Sequence, residues 1–322
     1  METCAISVAK PVANPVAKTF VRAAEVWIPE QNKLVLASGD YGESQAFAEA
    51  SVTESFAKGE GLPGKVWESE KPIVLKKFDG SYFKRAEAAA EAGLTSAVAI
   101  PVFAENNLKA VLVLFCGSDV GHSGAIELWE NTEQYLMLAD GYYGSATEFE
   151  ATSQIISFSY GMGLPGNVWA ANTPILKRDI ARASSFLRSE QAAAVGFTTG
   201  LGLPVPIPGD KVCILTLLSA SNTPLARRFE IWDARPECVG ATRQAQLIDG
   251  LCEREGALWA QQNPPVDPPM AQAWKGPIGQ VLGTGLPYVQ REGNGLPATY
   301  SSMFALPVYH DADLAYVVAC YL

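Results

Sequence analysis

Arg85 and Arg188 each stand two residues after a phenylalanine, in Phe83-Lys84-Arg85 and Phe186-Leu187-Arg188, 103 positions apart. A guanidinium can hold a carboxylate or a phosphate through two parallel hydrogen bonds; in water it is only a solvated charge. Residues two apart on a helix point to different faces, so an inward phenylalanine sends its arginine to a pocket rim or to solvent. Trp67 and Trp169, 102 positions apart, offer aromatic surface that lines a ligand pocket or plugs a core. The plug is favoured because tryptophan is highly buried on average, and each is expected to be mostly buried against its own sheet. Hydroxyls enter with Thr95 and Ser96 in one place and Thr198 and Thr199 in the other, where they face a ligand or cap the preceding turn. Asp179 supplies a carboxylate where Lys77 supplies an ammonium 102 positions earlier, so the two places are not chemically alike.

Catalytic constellations are missing from this inventory. Two histidines, His122 and His310, have no Cys, His or carboxylate cluster beside them in sequence, which argues against a metal, a haem or histidine-based catalysis. Six cysteines, Cys4, Cys116, Cys213, Cys238, Cys252 and Cys320, make no C-x-x-C pair and recur at no regular spacing, as reduced thiols of a cytosolic protein would. There is no glycine-rich phosphate loop and no repeated carboxylate pair. The expectation is a protein without enzymatic activity and without a cofactor. The formal net charge of -10 argues against nucleic acid and anionic membrane as partners. Apolar runs such as Ala110 to Cys116 are strand-sized, and residues 1–20 hold no apolar stretch of a secretory signal, so the expected location is the cytoplasm.

The elements that position these residues come in copies. Gly61-Leu62-Pro63-Gly64-Lys65-Val66-Trp67 returns as Gly163-Leu164-Pro165-Gly166-Asn167-Val168-Trp169, and Glu25-Val26-Trp27 returns as Glu127-Leu128-Trp129, both 102 positions later. Ile100-Pro101-Val102, Leu203-Pro204-Val205 and Leu306-Pro307-Val308 succeed one another at a spacing of 103. Phe229-Glu230-Ile231-Trp232 and Gly276-Pro277-Ile278-Gly279-Gln280-Val281-Leu282 mark a third, worn copy. A period near a hundred residues is domain-sized, so each copy is expected to bury its own core. The expected divisions are an extension over 1–19 and domains over 20–120, 121–222 and 223–322, joined near 118–124 and 220–228.

Within one copy, Ala24 to Ile28 and Leu34 to Ser38 read as a hairpin. Residues 43–57 are open to helix or loop. Leu62 to Glu68 starts a helix with Pro63 in its first turn, Ile73 to Leu75 is a strand, and Tyr82 to Ala92 is a helix closed by Gly93. Ala97 to Phe103 and Lys109 to Cys116 form a last hairpin. The result is α+β, an antiparallel sheet covered by short helices, with room for a cavity between them.

This order of signals, Gly-Leu-Pro-Gly-x-Val-Trp, Pro and a strand, Phe-x-Arg, Gly, then apolar-Pro-Val and a final strand, resembles the GAF domain. The likeness spans nearly all of the first two copies; the third lacks the tryptophan, having Leu282, and lacks a clear Phe-x-Arg helix. The resemblance implies tandem GAF-like domains, a pocket between sheet and helices, and a sensory, small-molecule-binding role. It places Trp169, Asp179, Phe186, Arg188 and Thr199 around a pocket in the second copy, and Trp67, Phe83, Arg85 and Ser96 in the first. With no output domain or heptad linker in the chain, output would fall to a protein partner. A scaffold with vestigial pockets is the alternative, and a thiol-dependent reductase a more distant one.

Overall fold

A computed structural model describes residues 19–117, 122–235, 243–252, 256–259, 267–292, 296–297 and 299–322. The first copy runs β1 (Val21–Glu30), β2 (Lys33–Asp40), α1 (Gln45–Val52), β3 (Ser55–Ala57), α2 (Gly61–Ser69), β4 (Ile73–Leu75), α3 (Ala86–Glu91), β5 (Leu94–Ala104) and β6 (Asn107–Gly117). The second runs β7 (Ser123–Asn131), β8 (Tyr135–Gly144), α4 (Thr147–Ile155), β9 (Ser157–Ser159), α5 (Gly163–Ala171), β10 (Ile175–Lys177), α6 (Ser189–Val195), β11 (Phe197–Pro204) and β12 (Cys213–Ala220). In the third come β13 (Arg228–Asp233), β14 (Gln244–Cys252), β15 (Gly256–Trp259), β16 (Met270–Gln272), α7 (Gly276–Thr284), β17 (Tyr288–Arg291), β18 (Ser302–His310) and β19 (Asp313–Tyr321). Each copy builds its own antiparallel sheet, and all three share one strand order, β3-β2-β1-β6-β5-β4 in the first; the third adds β16 beside β14. The α+β fold of three tandem GAF-like sheets therefore stands as expected.

The repeated heptapeptide is a docking device for α2 and α5. Gly61 and Gly163 take left-handed backbone, φ 56° and 66°, which glycine adopts at no steric cost. Leu62 and Val66, four apart on one helix face, are buried in the first core, as Leu164 and Val168 are in the second. The second glycine lies against a strand carbonyl: a Cβ on Gly64 would come 2.1 Å from the Ala57 oxygen, and on Gly166 equally close to that of Ser159. Gly279 repeats the contact in the third copy, 2.2 Å from the Gln272 oxygen. Residues 43–57, open to helix or loop in the sequence, form α1 and then β3, three residues that pair with the edge of β2.

The second predicted helix is shorter than Tyr82 to Ala92. It starts after Arg85, whose backbone is not helical (φ -107°, ψ 33°), and Arg188 precedes α6 in the same way (φ -112°, ψ 32°). Phe and Arg are thus not two residues of one helix, and both side chains turn inward.

Each sheet has two buried faces. The helix-covered faces of the first and second sheets hold separate cores, around Trp27, Phe47 and Phe115 in one and Trp129, Phe149 and Phe197 in the other. The opposite faces do not close within a copy. Val98, Leu112, Leu201, Leu215, Leu306 and Val318 belong to one core common to all three sheets, so the copies bury only part of their apolar surface alone.

The sheets follow one another in a ring. Lys76, Arg178 and Arg291 occupy one equivalent position, at the end of β4, β10 and β17. Lys76 meets Asp140 of β8 at 3.2 Å, Arg178 meets Asp249 of β14, and Arg291 returns to Asp40 of β2 at 3.8 Å. Pro101, Pro204 and Pro307 gather around a gap of only about 10 Å³. The connections also meet: Phe20 N donates to the Pro224 oxygen at 2.8 Å, and the Thr223 hydroxyl donates to the Ser123 oxygen at 2.8 Å. Residues 118–121, within the first expected junction, lie outside the described residues, as does the extension over 1–18.

Candidate functional site

The space between sheet and helices in the second copy is occupied by the protein's own ion pair. Glu127 lies in the middle of β7, and Arg188 at the start of α6 reaches down to it, leaving the arginine 1% exposed. Both guanidinium Nη atoms donate to the two carboxylate oxygens, the second at 2.9 Å. Ser153 of α4 donates to Glu127 at 2.8 Å, Thr216 of β12 at 2.8 Å, the Tyr143 hydroxyl at 3.1 Å and the Trp129 indole at 3.2 Å. Aromatic rings wall the guanidinium, with Phe149 at 4.5 Å and Trp129 at 5.3 Å from its carbon. Such a buried pair is tolerated only when its remaining lone pairs and protons find partners. Burial alone would raise the Glu127 carboxyl, but the Arg188 charge and the hydrogen bonds hold it below its usual 4.5.

The first copy repeats the arrangement. Arg85, 5% exposed, donates to both oxygens of Glu25 and to Ser51 of α1, and the Trp27 indole donates to Glu25 at 2.9 Å. Phe47 and Phe83 stand 4.9 Å and 5.2 Å from the guanidinium. The expectation that Arg85 and Arg188 reach a pocket rim or solvent is therefore corrected. They are buried because each sits before its helix, not in it, and the anion each holds is internal. In the third copy Glu230 keeps the same place, taking the Trp232 indole at 2.9 Å and the Tyr321 hydroxyl at 2.8 Å. Its arginine is Arg228, two residues earlier on the same strand, with Nε at 2.7 Å.

Sequence reasoning passed over Glu25, Glu127 and Glu230, although a signal was present: a carboxylate inside an apolar strand, two residues before a tryptophan, in every copy. Phe83 and Phe186 are buried in the cores of their own copies, Phe83 stacked on Phe78 at 4.1 Å. Trp67 and Trp169 are only half-buried; among the described residues the fully buried tryptophans are Trp27 and Trp129. Trp169 packs edge-on against Tyr160, ring centres 5.2 Å apart. Ser96 is buried.

Asp179 and Thr199 come together elsewhere. They line a cleft of about 370 Å³ between the second and third sheets, with Arg178, Arg227, Phe229 and Leu251. Asp179 is exposed, in left-handed backbone (φ 50°), and its carbonyl accepts from Arg182 N at 2.8 Å and Ala183 N at 3.0 Å. Phe186 belongs to the core behind it, with Arg188 among its rings, and Trp169 lines a separate cleft of about 590 Å³ with His310, so the five residues placed around one pocket in the second copy are divided between a sealed interior and two clefts.

Cys116, Cys213, Cys252 and Cys320 are free and buried. Burial pushes the Cys213 thiol up to about 12 and those of Cys116 and Cys320 higher still. Among the described residues no three His, Cys, Asp or Glu side chains form a group able to hold a metal ion, and no helix is long and apolar enough to cross a membrane.

Residues 16–131 match the family model of the GAF domain. Solved structures similar to the chain include the nlh2 GAF domain of A. aeolicus in an inactive state, 25% identical, with a TM-score of 0.26, matched over 31% of this chain and 59% of that one. The GAF domain of a phosphoenolpyruvate-protein phosphotransferase from Coxiella burnetii is 22% identical, TM-score 0.25, over 30% of this chain and 56% of that one. Free methionine-R-sulfoxide reductase from Neisseria meningitidis with its substrate is 16% identical, TM-score 0.24, over 30% and 52%. The chain thus spans little more than half the length of each. No curated protein matches the chain.

Proposed function

From a GAF domain at residues 16–131 and two further sheets of the same strand order, we propose that this is a non-catalytic regulatory protein of the cytoplasm that binds a small molecule and passes the signal to a protein partner. The observation that carries the reading is the cleft of about 370 Å³ holding Asp179 and Thr199, within the size range of ligand sites. The thiols support a non-catalytic role, since a reactive cysteine needs a lowered pKa and access, and the described ones are buried with Cys116, Cys213 and Cys320 pushed up. A second reading, a scaffold that binds partners only, is favoured by the Arg85–Glu25 and Arg188–Glu127 pairs that fill the spaces inside the first two copies.

Native mass spectrometry of the purified chain and a thermal-shift screen of nucleotides, amino acids and organic acids separate the two. A retained or stabilising compound is expected; at a hundred times its dissociation constant it adds about 2.7 kcal/mol to the folded state. A screen in which nothing moves the melt, with no compound retained, leaves the scaffold.

A further inference from the structure

We propose that two molecules of this chain meet at an apolar face on the edge of the second copy, beside β9 and the start of α5. Among the described residues, six of the ten large apolar side chains that face water belong to the second copy. Four of them, Ile155, Tyr160, Met162 and Leu187, flank β9 or the start of α5 and are between 48% and 83% exposed. Half-buried Ile156 leads from Ile155 into β9. Leu187 lies over the helix start, its Cδ1 3.8 Å from where a Cβ on Gly163 would stand. Single exposed apolar residues are ordinary on a protein surface, whereas a gathering of them marks a place of contact.

The first copy shows the same place as a solvated, ionic surface. There Lys84 bridges Glu60 at 2.7 Å and Glu54 at 3.6 Å, its ammonium 5.4 Å from the centre of the Phe56 ring. Lys84 holds the middle of Phe-x-Arg as Leu187 does, Glu60 precedes α2 as Met162 precedes α5, and Glu54 precedes β3 as Ile156 precedes β9. Lys58 is matched in turn by Tyr160. Two acids and two lysines of one copy are thus an isoleucine, a methionine, a leucine and a tyrosine in the next, on a backbone that is otherwise repeated. Neither β9 nor α5 requires that exchange, since β3 and α2 form with the charges in place.

A second molecule of the chain is the partner that fits this face. Each molecule carries a formal net charge of -10, so two of them repel in most orientations, and they approach most readily where charges have been exchanged for apolar groups. A face that meets itself across a twofold axis meets its own chemistry, which here is apolar on apolar. Covering it strands no phenol, because the Tyr160 hydroxyl already donates to the Ala170 oxygen at 3.2 Å. The contact stands whether or not the cleft between the second and third sheets holds a ligand.

Light scattering and sedimentation equilibrium of the full chain, from about 1 to about 100 µM, test the proposal. An equilibrium between one and two molecules is expected, tightening as salt rises because screening relieves the repulsion of two acidic partners. Ile156→Glu with Met162→Glu and Leu187→Lys writes the ionic cluster of the first copy onto the second. It should weaken the dimer at least about a hundredfold while the melt stays cooperative, and Leu187→Lys alone should weaken it at least about tenfold. Lys84→Gln, at the matching place on the first copy, should leave the dimer as it is. A chain that stays single throughout the range overturns the proposal and leaves the face to a different protein. A dimer that loosens with salt, that ignores the triple variant, or that responds to Lys84→Gln as strongly as to Leu187→Lys overturns it too. Should the triple variant fail to fold, Leu187→Lys decides.

Discussion

Glu127 is the residue on which the second copy turns. It accepts from Arg188, Ser153, Thr216, Tyr143 and Trp129, so five groups lose a partner if it goes. Arg188→Met should cost about 3–5 kcal/mol, the usual penalty for leaving one buried charge unpaired, read as a fall in the melting temperature. Replacing both members of a buried pair by apolar residues is often neutral. Here Glu127→Leu with Arg188→Met should remain destabilised, because the Tyr143 and Thr216 hydroxyls lose the acceptor they donate to. The carboxyl of Glu127 is held below 4.5 in the folded chain, so its contribution is complete above that value and lost as the pH falls through the folded one. Acid unfolding followed by tryptophan fluorescence should therefore start below about pH 4.5, and less steeply in Glu127→Gln. The arginines were visible in the sequence and their roles were not. Helical periodicity was assumed at a position where the backbone is non-helical, and the internal carboxylate lies 61 residues away from Arg188.

Among the elements, the heptapeptide was the plainest signal, and its meaning is packing. The two glycines serve backbone geometry and close approach, while Leu164 and Val168 serve the core. Gly166→Ala should cost about 3 kcal/mol, the upper end of overpacking penalties, because the obstructing atom is a strand carbonyl that cannot swing aside. The motif's tryptophan is worth less than the repeat suggests: half-buried Trp169→Ala should cost about 1–2 kcal/mol and fully buried Trp129→Ala about 3–5 kcal/mol, compared by denaturant unfolding. The hairpins and β4 were legible because apolar runs bounded by turn residues identify them. Strands β3 and β9, at three residues each, are too short to show a period and owe their form to pairing with β2 and β8.

At the scale of the whole molecule, the repeat announced three units but gave no sign that they share a core. That core depends on which sheet faces meet, and all three outer faces are apolar in the same way. An isolated first unit over residues 19–117 would present Val98, Ile100, Leu112 and Leu114 to water, a patch of the kind that drives association. Size-exclusion chromatography with light scattering should find it self-associated, whereas in the full chain the three units should melt in one transition. The ring of bridges at Lys76, Arg178 and Arg291 has a consequence of its own. Three separate, identical subunits arranged this way would have to repeat every junction three times, so any opening would come in threefold and every seal with it. Joined in one polypeptide, each junction is free to change by itself. One has been sealed by Phe20 and Tyr142, while clefts remain at the other two, about 370 Å³ between the second and third sheets and about 1070 Å³ between the third and the first, so the three seams differ although the sheets do not.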